Sequence, residues 1–427
     1  MAEVVGNVAS SAKRTSSAYM AAVGCSVAGS AAGFLGATGT TNAAGNPGNG
    51  AVYTGIYVSA GLLSAALVIP YAPMLSHRLG ARSLFIKCKA VTAVVWLTVG
   101  FLLLGGVPGM PLLLVLSPVL GALSGLGSVV SPVMNKAYLA SSGMAAAFAR
   151  MAVISGIAWG IGSLLGGLLL DAAPLGWGLV LNGLLTIPLA VIVSKVAPLA
   201  ALTDPAERGR PWHDVVSNLR CSQALRRVTM LACVVALCVA PLALLLVPIT
   251  QDLRHEPLLV GSGLLMAAMA LGEAFSPKLV RRVSLRHSDL PGSAITAIGA
   301  GVLLILFGMS SVLLAGPVEL GVWTAIAVGF GVFRFASRAF TIGATAESRA
   351  PELTASSLAT MMLVAGLFAP LGTFVWSLLI GYFSASAAVL CGGVAMVLLG
   401  VPILISANSA KAAGDAVTAS EGKAAAG

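Results

Sequence analysis

Charged residues are scarce in this sequence. Asp, Glu, Lys and Arg make up 9% of the 427 residues, whereas 58% of the residues are hydrophobic. A soluble domain carries about 25% charged residues, so this chain has too few of them to cover a surface that faces water. Hydrophobic stretches of about 20 residues recur along the chain, which is the length that an α-helix needs to cross a bilayer. The sequence therefore predicts an all-α integral membrane protein.

Several kinds of chemical site are missing as well. The six cysteines form no CxxC pair, and the four histidines all fall in predicted loops. The predicted spans hold neither paired carboxylates nor a serine with a base, and no Gly-x-x-x-x-Gly-Lys-Ser/Thr loop is present, which disfavours direct use of ATP. We therefore expect no metal site, no cofactor, no catalytic residue and no enzymatic activity.

The positions of the Lys and Arg residues indicate the topology of the chain. Twelve spans are predicted, over residues 18–38, 51–72, 84–105, 111–133, 147–170, 176–197, 228–250, 257–276, 292–315, 318–340, 354–379 and 384–406. With a cytoplasmic amino terminus, every Lys and Arg except Arg254 falls on the cytoplasmic side, as the positive-inside rule requires. The net charge of +10 is thus explained without nucleic acid. We expect a multi-pass protein of the cell membrane with both termini in the cytoplasm.

Two basic stretches indicate an internal duplication. Residues 73–82 read PMLSHRLGAR and residues 277–286 read PKLVRRVSLR, 204 residues further on, and each follows a hydrophobic span. The run GLLSAA also returns as GLLMAA, and the Gly-x-Gly of Gly125 and Gly127 returns at Gly329 and Gly331. Repeated halves of six spans are typical of secondary transporters, which bind substrate near the bilayer midplane between the halves.

This duplication divides the chain into four segments. Residues 1–197 and 228–406 are predicted to form two pseudo-symmetric six-helix bundles, and residues 407–427 a disordered cytoplasmic tail. The linker, residues 198–227, is predicted to be cytoplasmic and to contain an amphipathic helix at the membrane surface. The alternative for the linker is a simple tether. We expect a monomer whose partners are the lipid bilayer, a small-molecule substrate and protons.

The first basic stretch resembles the signature of the major facilitator superfamily, a Gly-x-Leu-x-Asp-Arg-x-Gly-x-Arg loop. The matching residues are Leu75, Arg78, Gly80 and Arg82, while Pro73 replaces Gly and His77 replaces Asp. In the family that Asp helps to latch the two halves. The resemblance implies that both basic stretches are cytoplasmic gating loops, with these candidate residues: His77, Arg78, Gly80, Arg82, Arg281, Arg282 and Arg286.

A second motif resembles the drug:proton antiporter branch of that family. The run GIGSLLGG at 160–167 is similar to the branch's Gly-Pro-x-x-Gly-Gly motif: Gly162, Gly166 and Gly167 match, and Ser163 replaces Pro. Within the family, the sequence resembles the bacterial drug and siderophore exporters. Small residues at this spacing also let helices pack closely in any membrane protein, so packing alone remains an alternative.

Few residues within the spans could carry transport. Glu273 is the one carboxylate placed inside a span; because hydrocarbon penalises the charged form of a carboxyl group, it is the candidate for proton coupling. Arg334, four residues before Arg338, and Trp159 are candidates for the substrate cavity. The alternatives are a solvated or structurally paired Glu273, arginines that snorkel to water, and a tryptophan that contacts core or lipid.

Three other tryptophans and one carboxylate receive ordinary interpretations. Trp177, Trp323 and Trp376 are expected at the outer interface as an aromatic belt, and Asp171 is expected to be solvated. The sequence thus predicts a secondary transporter that exports a small apolar or amphiphilic organic molecule in exchange for protons. The alternative is a proton-coupled importer or facilitator of a sugar or small metabolite with the same fold.

Overall fold

A computed structural model describes residues 2–45, 49–139, 144–198, 211–254, 259–314, 317–348 and 354–425, and nearly all of them are helical. The sixteen α-helices within these ranges are α1 (Ala2–Ala43), α2 (Gly50–Val68), α3 (Ala72–Leu79), α4 (Ala81–Leu104), α5 (Gly109–Tyr138), α6 (Met144–Ala172), α7 (Gly176–Lys195), α8 (Pro211–Cys221), α9 (Gln223–Cys238), α10 (Ala240–Leu244), α11 (Leu246–Arg254), α12 (Val260–Ser284), α13 (Asp289–Leu313), α14 (Pro317–Glu347), α15 (Thr354–Tyr382) and α16 (Ala385–Ala425).

Eleven of these helices are long and apolar enough to cross a membrane: α1, α2, α4 to α7 and α12 to α16. The all-α membrane architecture predicted from composition is therefore confirmed. We call the end of the molecule where α1 ends and α12 begins the outer end, because the sequence predicts that it faces away from the cytoplasm. The opposite end, where α2 ends and α4 begins, is called the inner end.

The predicted span over residues 228–250 is not one continuous helix. It is divided into α9, α10 and α11, of 16, 5 and 9 residues. Proline has no backbone N–H and its ring crowds the preceding turn, and Pro241 stands in the first turn of α10. The chain consequently leaves helical geometry beside Pro241, so this part of the bundle contains two breaks that the hydropathy pattern did not reveal.

Two segments outside the spans are helical. Residues 407–425, predicted to be disordered, continue the last span as helix α16, because an alanine-rich sequence has high helix propensity and nothing in it stops the preceding helix. The predicted linker helix is present as α8 and meets α9 at a bend of 115°. Asn218 of α8 is buried and donates a hydrogen bond of 3.0 Å to Thr360 of α15.

The two halves share one packing plan. In the first half α1 packs on α6 and α7, α4 packs on α5 and α7, and α2 packs on α5. In the second half α9 packs on α15 and α16, α13 on α14 and α16, and α12 on α14. The halves meet along two helix pairs, α6 with α12 and α2 with α15, and a twofold rotation would exchange the two pairs. The pseudo-symmetric duplication read from the sequence is therefore present in the fold.

The glycines repeated in α5 and α14 have equivalent contacts, but the equivalent positions differ from those that the sequence pattern paired. A Cβ on Gly125 of α5 would lie 2.5 Å from the carbonyl oxygen of Ala65 on α2, and a Cβ on Gly331 of α14 would collide with the carbonyl of Met269 on α12. Both glycines allow two helices of one half to approach closely. The structural equivalent of Gly125 is thus Gly331, whereas the sequence pattern paired Gly125 with Gly329.

Candidate substrate and proton site between the two halves

Glu273 of α12 faces the interior of the molecule. Leu271 and Phe275 are 51% and 47% exposed, and on a helix with 3.6 residues per turn each lies about 200° around the axis from Glu273. Large exposed apolar side chains on a membrane helix face lipid, so the opposite side of α12 faces the protein. The carboxylate is therefore directed toward the space between the halves.

Arg334 of α14 pairs with this carboxylate. Its Nη1 lies 3.8 Å from Oε1 of Glu273, and the side chains of Arg334 and Glu273 are 34% and 26% exposed. Arg338, one turn further toward the inner end, is exposed. Pairing with Glu273 was one of the two roles that the sequence suggested for Arg334, and the structure shows this pair with both side chains partly exposed.

Trp159 of α6 lies on the same interior side. Ile157 and Ile161 are 52% and 53% exposed, so the opposite face of α6, which carries Trp159, is turned away from lipid. The indole packs against Phe34 of α1, with ring centroids 6.4 Å apart and planes tilted by 45°. Phe34 was not identified from the sequence, because one phenylalanine in an apolar span gives no distinguishing signal. The two rings offer an apolar surface between the halves.

The α6–α12 interface holds Trp159 and Glu273 at similar depth. A Cβ on Gly156 would lie 3.2 Å from the carbonyl oxygen of Ala270, and a Cβ on Gly160 would lie 3.5 Å from that of Ala267. Glu273 therefore lies about one helical turn closer to the inner end than Trp159. An amphiphilic molecule of modest length could contact the aromatic pair and the charged pair together.

The antiporter-like motif divides its contacts between the two halves. A Cβ on Gly162 would collide with the carbonyl of Ala28 on α1, and one on Gly166 would lie 3.0 Å from Ala32 of the same helix. A Cβ on Gly167, in contrast, would lie 2.9 Å from the carbonyl oxygen of Leu259, beside α12. The motif therefore packs α6 against its own half on one side and against the other half on the other.

Ser163 lies at a close contact between α6 and α12. Its backbone carbonyl lies where a Cβ on Gly263 of α12 would be. Its hydroxyl is fully buried and has no hydrogen-bond partner among the described residues. A buried hydroxyl without a partner is unfavourable, so this serine reduces the stability of the interface compared with an apolar residue of similar size.

Asp171 connects the halves at the outer end. Its carboxylate accepts hydrogen bonds from the backbone N–H groups of Leu259 at 2.5 Å and Val260 at 2.8 Å. These are unpaired N–H groups at the start of α12, where a negative charge is favoured. The expectation that Asp171 is merely solvated is incomplete: the residue is exposed, but it also caps a helix of the other half.

A second contact closes the outer end on the pseudo-twofold axis. Asn42 of α1 donates from its amide nitrogen to the amide oxygen of Gln251 on α11, at 2.5 Å. Hydroxyl pairs adjoin both residues, Thr41 with Thr54 and Thr250 with Ser262. These residues occur 208 or 209 positions apart, an offset that the sequence analysis did not test. The outer end is thus held by polar contacts that repeat between the halves.

The first basic stretch contains a turn that requires glycine. Residues 72–79 form α3, with His77 and Arg78 exposed in its last turn, and α4 begins at Ala81. Gly80 between them has φ +78°, and nothing lies within 4 Å of the position of its absent Cβ. Residues with a side chain rarely adopt this conformation, so backbone geometry explains Gly80 without a gating role.

The guanidinium of Arg82 donates hydrogen bonds to the backbone at the end of α7. Its Nε donates to the carbonyl of Val193 at 2.9 Å, and its Nη2 donates to those of Ser194 at 2.9 Å and Val196 at 3.2 Å. Tyr138 donates to the carbonyl of Val196 at 2.8 Å; burial raises the pKa of its phenol against the opposing effect of Arg82, so the hydroxyl keeps its proton. Together the two side chains cap the carboxyl end of α7.

The second basic stretch has a different conformation. Pro277 and the residues to Ser284 continue α12, and Arg281 and Arg282 lie exposed in its last turn. Arg286 follows in the turn before α13 and is exposed. Two copies of one sequence pattern thus form a helix–glycine–helix break in the first half and a helix end in the second.

Two of the three expected belt tryptophans are buried. Trp323 is fully buried and stacks on Phe307 with ring centroids 5.2 Å apart. Trp376 is also buried, and its indole occupies the space that a side chain at Gly392 would need. Only Trp177 of these three is exposed. The belt prediction was wrong for Trp323 and Trp376 because hydropathy places a residue along the membrane normal but not around its helix.

A duplicated bundle of membrane helices is the architecture of a membrane transporter of small molecules. The sequence matches the Major Facilitator Superfamily over residues 16–373. The chain belongs to that superfamily, and it is a multi-pass membrane protein.

Solved structures agree with this assignment. The chain is similar to the nucleoside transporter NupG, with a TM-score of 0.66 at 11% identity over 92% of this chain and 98% of that one. It is similar to the human organic anion transporter MFSD10 (TETRAN), with a TM-score of 0.65 at 14% identity over 92% of this chain and 99% of that one. It is also similar to a D-xylose-proton symporter, with a TM-score of 0.69 at 12% identity over 91% of this chain and 96% of that one. No curated protein matches the sequence. At these identities the likeness establishes the fold.

Proposed function

We propose that this protein exports a small apolar or amphiphilic organic molecule in exchange for protons, and that Glu273 is the proton-coupling residue. The observation that carries the proposal is the partly exposed ion pair between Glu273 and Arg334, on the side of α12 opposite the exposed Leu271 and Phe275. A carboxylate among membrane helices costs free energy, so its presence there indicates a functional role. The aromatic pair of Trp159 and Phe34 provides the apolar side of the same site.

Protonation of Glu273 would change the site in two ways. It removes the negative partner of Arg334 and leaves that guanidinium free to attract other groups. It also leaves the positive charge of Arg334 without a partner, which raises the cost of closing that space until another group compensates the charge. Substrate and proton would thus favour different states of the two bundles, and each could drive the movement of the other.

The direction of export is proposed from the antiporter-like motif around Ser163. Polar contacts of Asp171, Asn42 and Gln251 join the halves at the outer end, while the central ion pair remains partly exposed. Exporters and importers both pass through a state that is joined at the outer end, so these contacts fit alternating access in either direction. Transport assays decide between the two directions.

Gating by the basic stretches is part of the proposal. Arg78, Arg281, Arg282 and Arg286 are exposed at the inner end and are free to form contacts between the halves when that end closes. His77 accompanies Arg78 in the last turn of α3. For Arg82 we propose a positioning role instead, because its donors are taken up by the end of α7.

The substitution Glu273→Gln tests the proposal. Cells that produce the protein should accumulate less ethidium or less of a neutral naphthylamine dye than cells that produce the Glu273→Gln variant. With the dye that responds, proteoliposomes of the unchanged protein should show dye-driven proton movement, and those of the variant none. Coupled proton movement that survives in a folded Glu273→Gln protein would exclude this residue from the mechanism.

The alternative is a proton-coupled importer or facilitator of a sugar or small metabolite. It is favoured by the names of two similar structures, a nucleoside transporter and a D-xylose-proton symporter. Uptake of labelled uridine and D-xylose distinguishes the two functions. If cells with the protein accumulate more of either compound, and Glu273→Gln removes the gain, the import function replaces the export function.

A further inference from the structure

A groove of about 360 Å³ lies between α9 and α15. Its α9 side runs from Arg226 through Met230 to Leu237, a length of ~16 Å along the helix. Val364 and Phe368 of α15 form the facing wall, and Leu219 of α8 lies at one end. Apart from Arg226 and one threonine, every residue that lines the groove is apolar or a cysteine.

The groove opens toward the lipid side of the bundle. Met230 is 61% exposed on α9. On α15 Phe368 is exposed together with Leu371 and Val375, which lie along the same side of the helix. The face of α15 that meets α2, carrying Gly366 and Pro370, lies on the other side. The groove is therefore separate from the site between the halves.

Two arginines adjoin the inner end of the groove. Arg226 is exposed there, and Arg220 on α8 is exposed nearby. The bend of 115° between α8 and α9 directs α8 away from the axis of α9, so Arg220 and Arg226 stand beside the groove entrance. Basic pockets at the cytoplasmic side of membrane helices attract anionic lipid head groups.

Thr229 provides an independent polar feature in the groove wall. It is 4% exposed, and its hydroxyl has no hydrogen-bond partner among the described residues. It lies one helical turn deeper than Arg226, about 5 Å along the axis. A lipid whose phosphate contacts Arg226 would place its ester oxygens at that depth, where a rotation about χ1 of Thr229 would offer the hydroxyl as a donor.

We propose that this groove binds an anionic phospholipid, with one acyl chain between α9 and α15 and the phosphate on Arg226. The apolar length matches a chain that enters from the bilayer, and the basic entrance matches a negative head group. A bound lipid would contact α8, α9 and α15 together at the junction between the linker and the second half.

Photolabelling of the full-length protein in nanodiscs tests this site. The probes are phosphatidylglycerol and phosphatidylcholine that carry the same diazirine-modified acyl chain. Phosphatidylglycerol should label peptides that contain residues 226–237 and 364–368. Phosphatidylcholine should label them about fivefold less, and Arg226→Gln should lower the phosphatidylglycerol labelling about fivefold, since one basic residue near the surface contributes that much.

Two variants control the experiment. Arg14→Gln makes the same chemical change at an exposed position of α1 and should leave the labelling unchanged. Met230→Trp adds bulk at the groove mouth and should lower labelling by both lipids while the melting temperature in detergent stays near that of the unchanged protein. Equal labelling by the two lipids, an equal loss in Arg14→Gln, or labelling concentrated on other helices would overturn the proposal.

Discussion

The two halves of the protein follow one packing plan but carry different chemistry. At the outer end they use equivalent positions in the same way, as the pairs Thr41–Thr54 and Thr250–Ser262 show. In the interior they differ. Glu273 lies in the second half, whereas the stretch 204 residues earlier, 67–69, reads Leu-Val-Ile. The two halves therefore share one scaffold, while the second half carries a carboxylate that the equivalent stretch of the first half lacks.

The two interfaces between the halves differ in a related way. The α6–α12 interface has backbone packed on backbone and a carboxylate cap at its outer end. The α2–α15 interface is neutral: Ser59 donates to the carbonyl of Pro370 at 2.9 Å, and Gly366 faces the methyl group of Ala66. Gly55 of α2 is an exception, because a Cβ there would collide with the side chain of Ser377 on α15. We infer that the α6–α12 interface tolerates no added methyl group at Gly263, whereas the α2–α15 interface tolerates one at Gly366.

The largest expected effect comes from adding one methyl group to each interface. Gly263→Ala would place a Cβ against the backbone carbonyl of Ser163, which cannot move without its helix, so we expect a loss of about 1–3 kcal/mol. Gly366→Ala would place its Cβ 3.3 Å from the Cβ of Ala66, where a small shift suffices. Thermal unfolding in detergent should show a clear drop for the first variant and little change for the second. Equal drops would contradict the asymmetry.

The two basic stretches allow a similar comparison of arginines. Arg82→Gln removes donors from three carbonyl groups at the end of α7, and charged hydrogen bonds of this kind contribute about 1.5–3 kcal/mol. We expect a lower melting temperature for Arg82→Gln. Arg286→Gln alters an exposed side chain and should leave the melting temperature unchanged. A stable Arg82→Gln protein with altered transport would instead favour a gating role.

The carboxylate cap at the outer end should have a smaller effect on stability, about 1 kcal/mol for Asp171→Ala. Because that cap joins the halves, its loss should also open the outer end. A cysteine introduced at buried Ser262 in a cysteine-free protein should then react faster with a membrane-impermeant maleimide. Asp252 is the matched control, since it accepts from the backbone N–H of Ala385 at 2.8 Å within one half.

In the control, Asp252→Ala should lower the melting temperature by a similar amount without changing the labelling of the cysteine at position 262. If both variants raise the labelling equally, general loosening of the helix ends explains the result. Asp171 would then have no special part in holding the halves together.

The smallest effect is expected at Ser163. Its buried hydroxyl has no partner among the described residues, so Ser163→Ala removes an unfavourable group and keeps the backbone contact with α12. The melting temperature should stay the same or rise slightly. A marked fall would show that the hydroxyl makes a contact in another state of the transporter.

Much of the fold could be predicted from the sequence because lipid imposes a simple rule. A helix must be about 20 apolar residues long to cross the bilayer, and its backbone groups are satisfied within the helix. That rule located the eleven spans that the structure contains, and repeated motifs indicated the duplication. It missed the breaks beside Pro241, because hydropathy counts a proline as an ordinary residue of the span.

The candidate site could be predicted only in part. Glu273 and Arg334 stood out because charges in hydrocarbon are rare. Phe34, Asn42 and Gln251 could not be found, since an aromatic or amide residue in such a chain has many possible surroundings. Asp171 was recognised as a residue at the end of a span, but its partner is a pair of backbone N–H groups 88 and 89 positions away.

By itself the sequence determined that this chain is a doubled set of membrane helices, because length and polarity decide what lipid will accept. Only the tertiary structure decided which side of each helix faces lipid, its own half or the other half. That choice depends on which residues of distant helices meet. These contacts between distant helices explain why Trp159 and Glu273 face the centre, why Trp323 is buried and why Arg82 binds the end of α7.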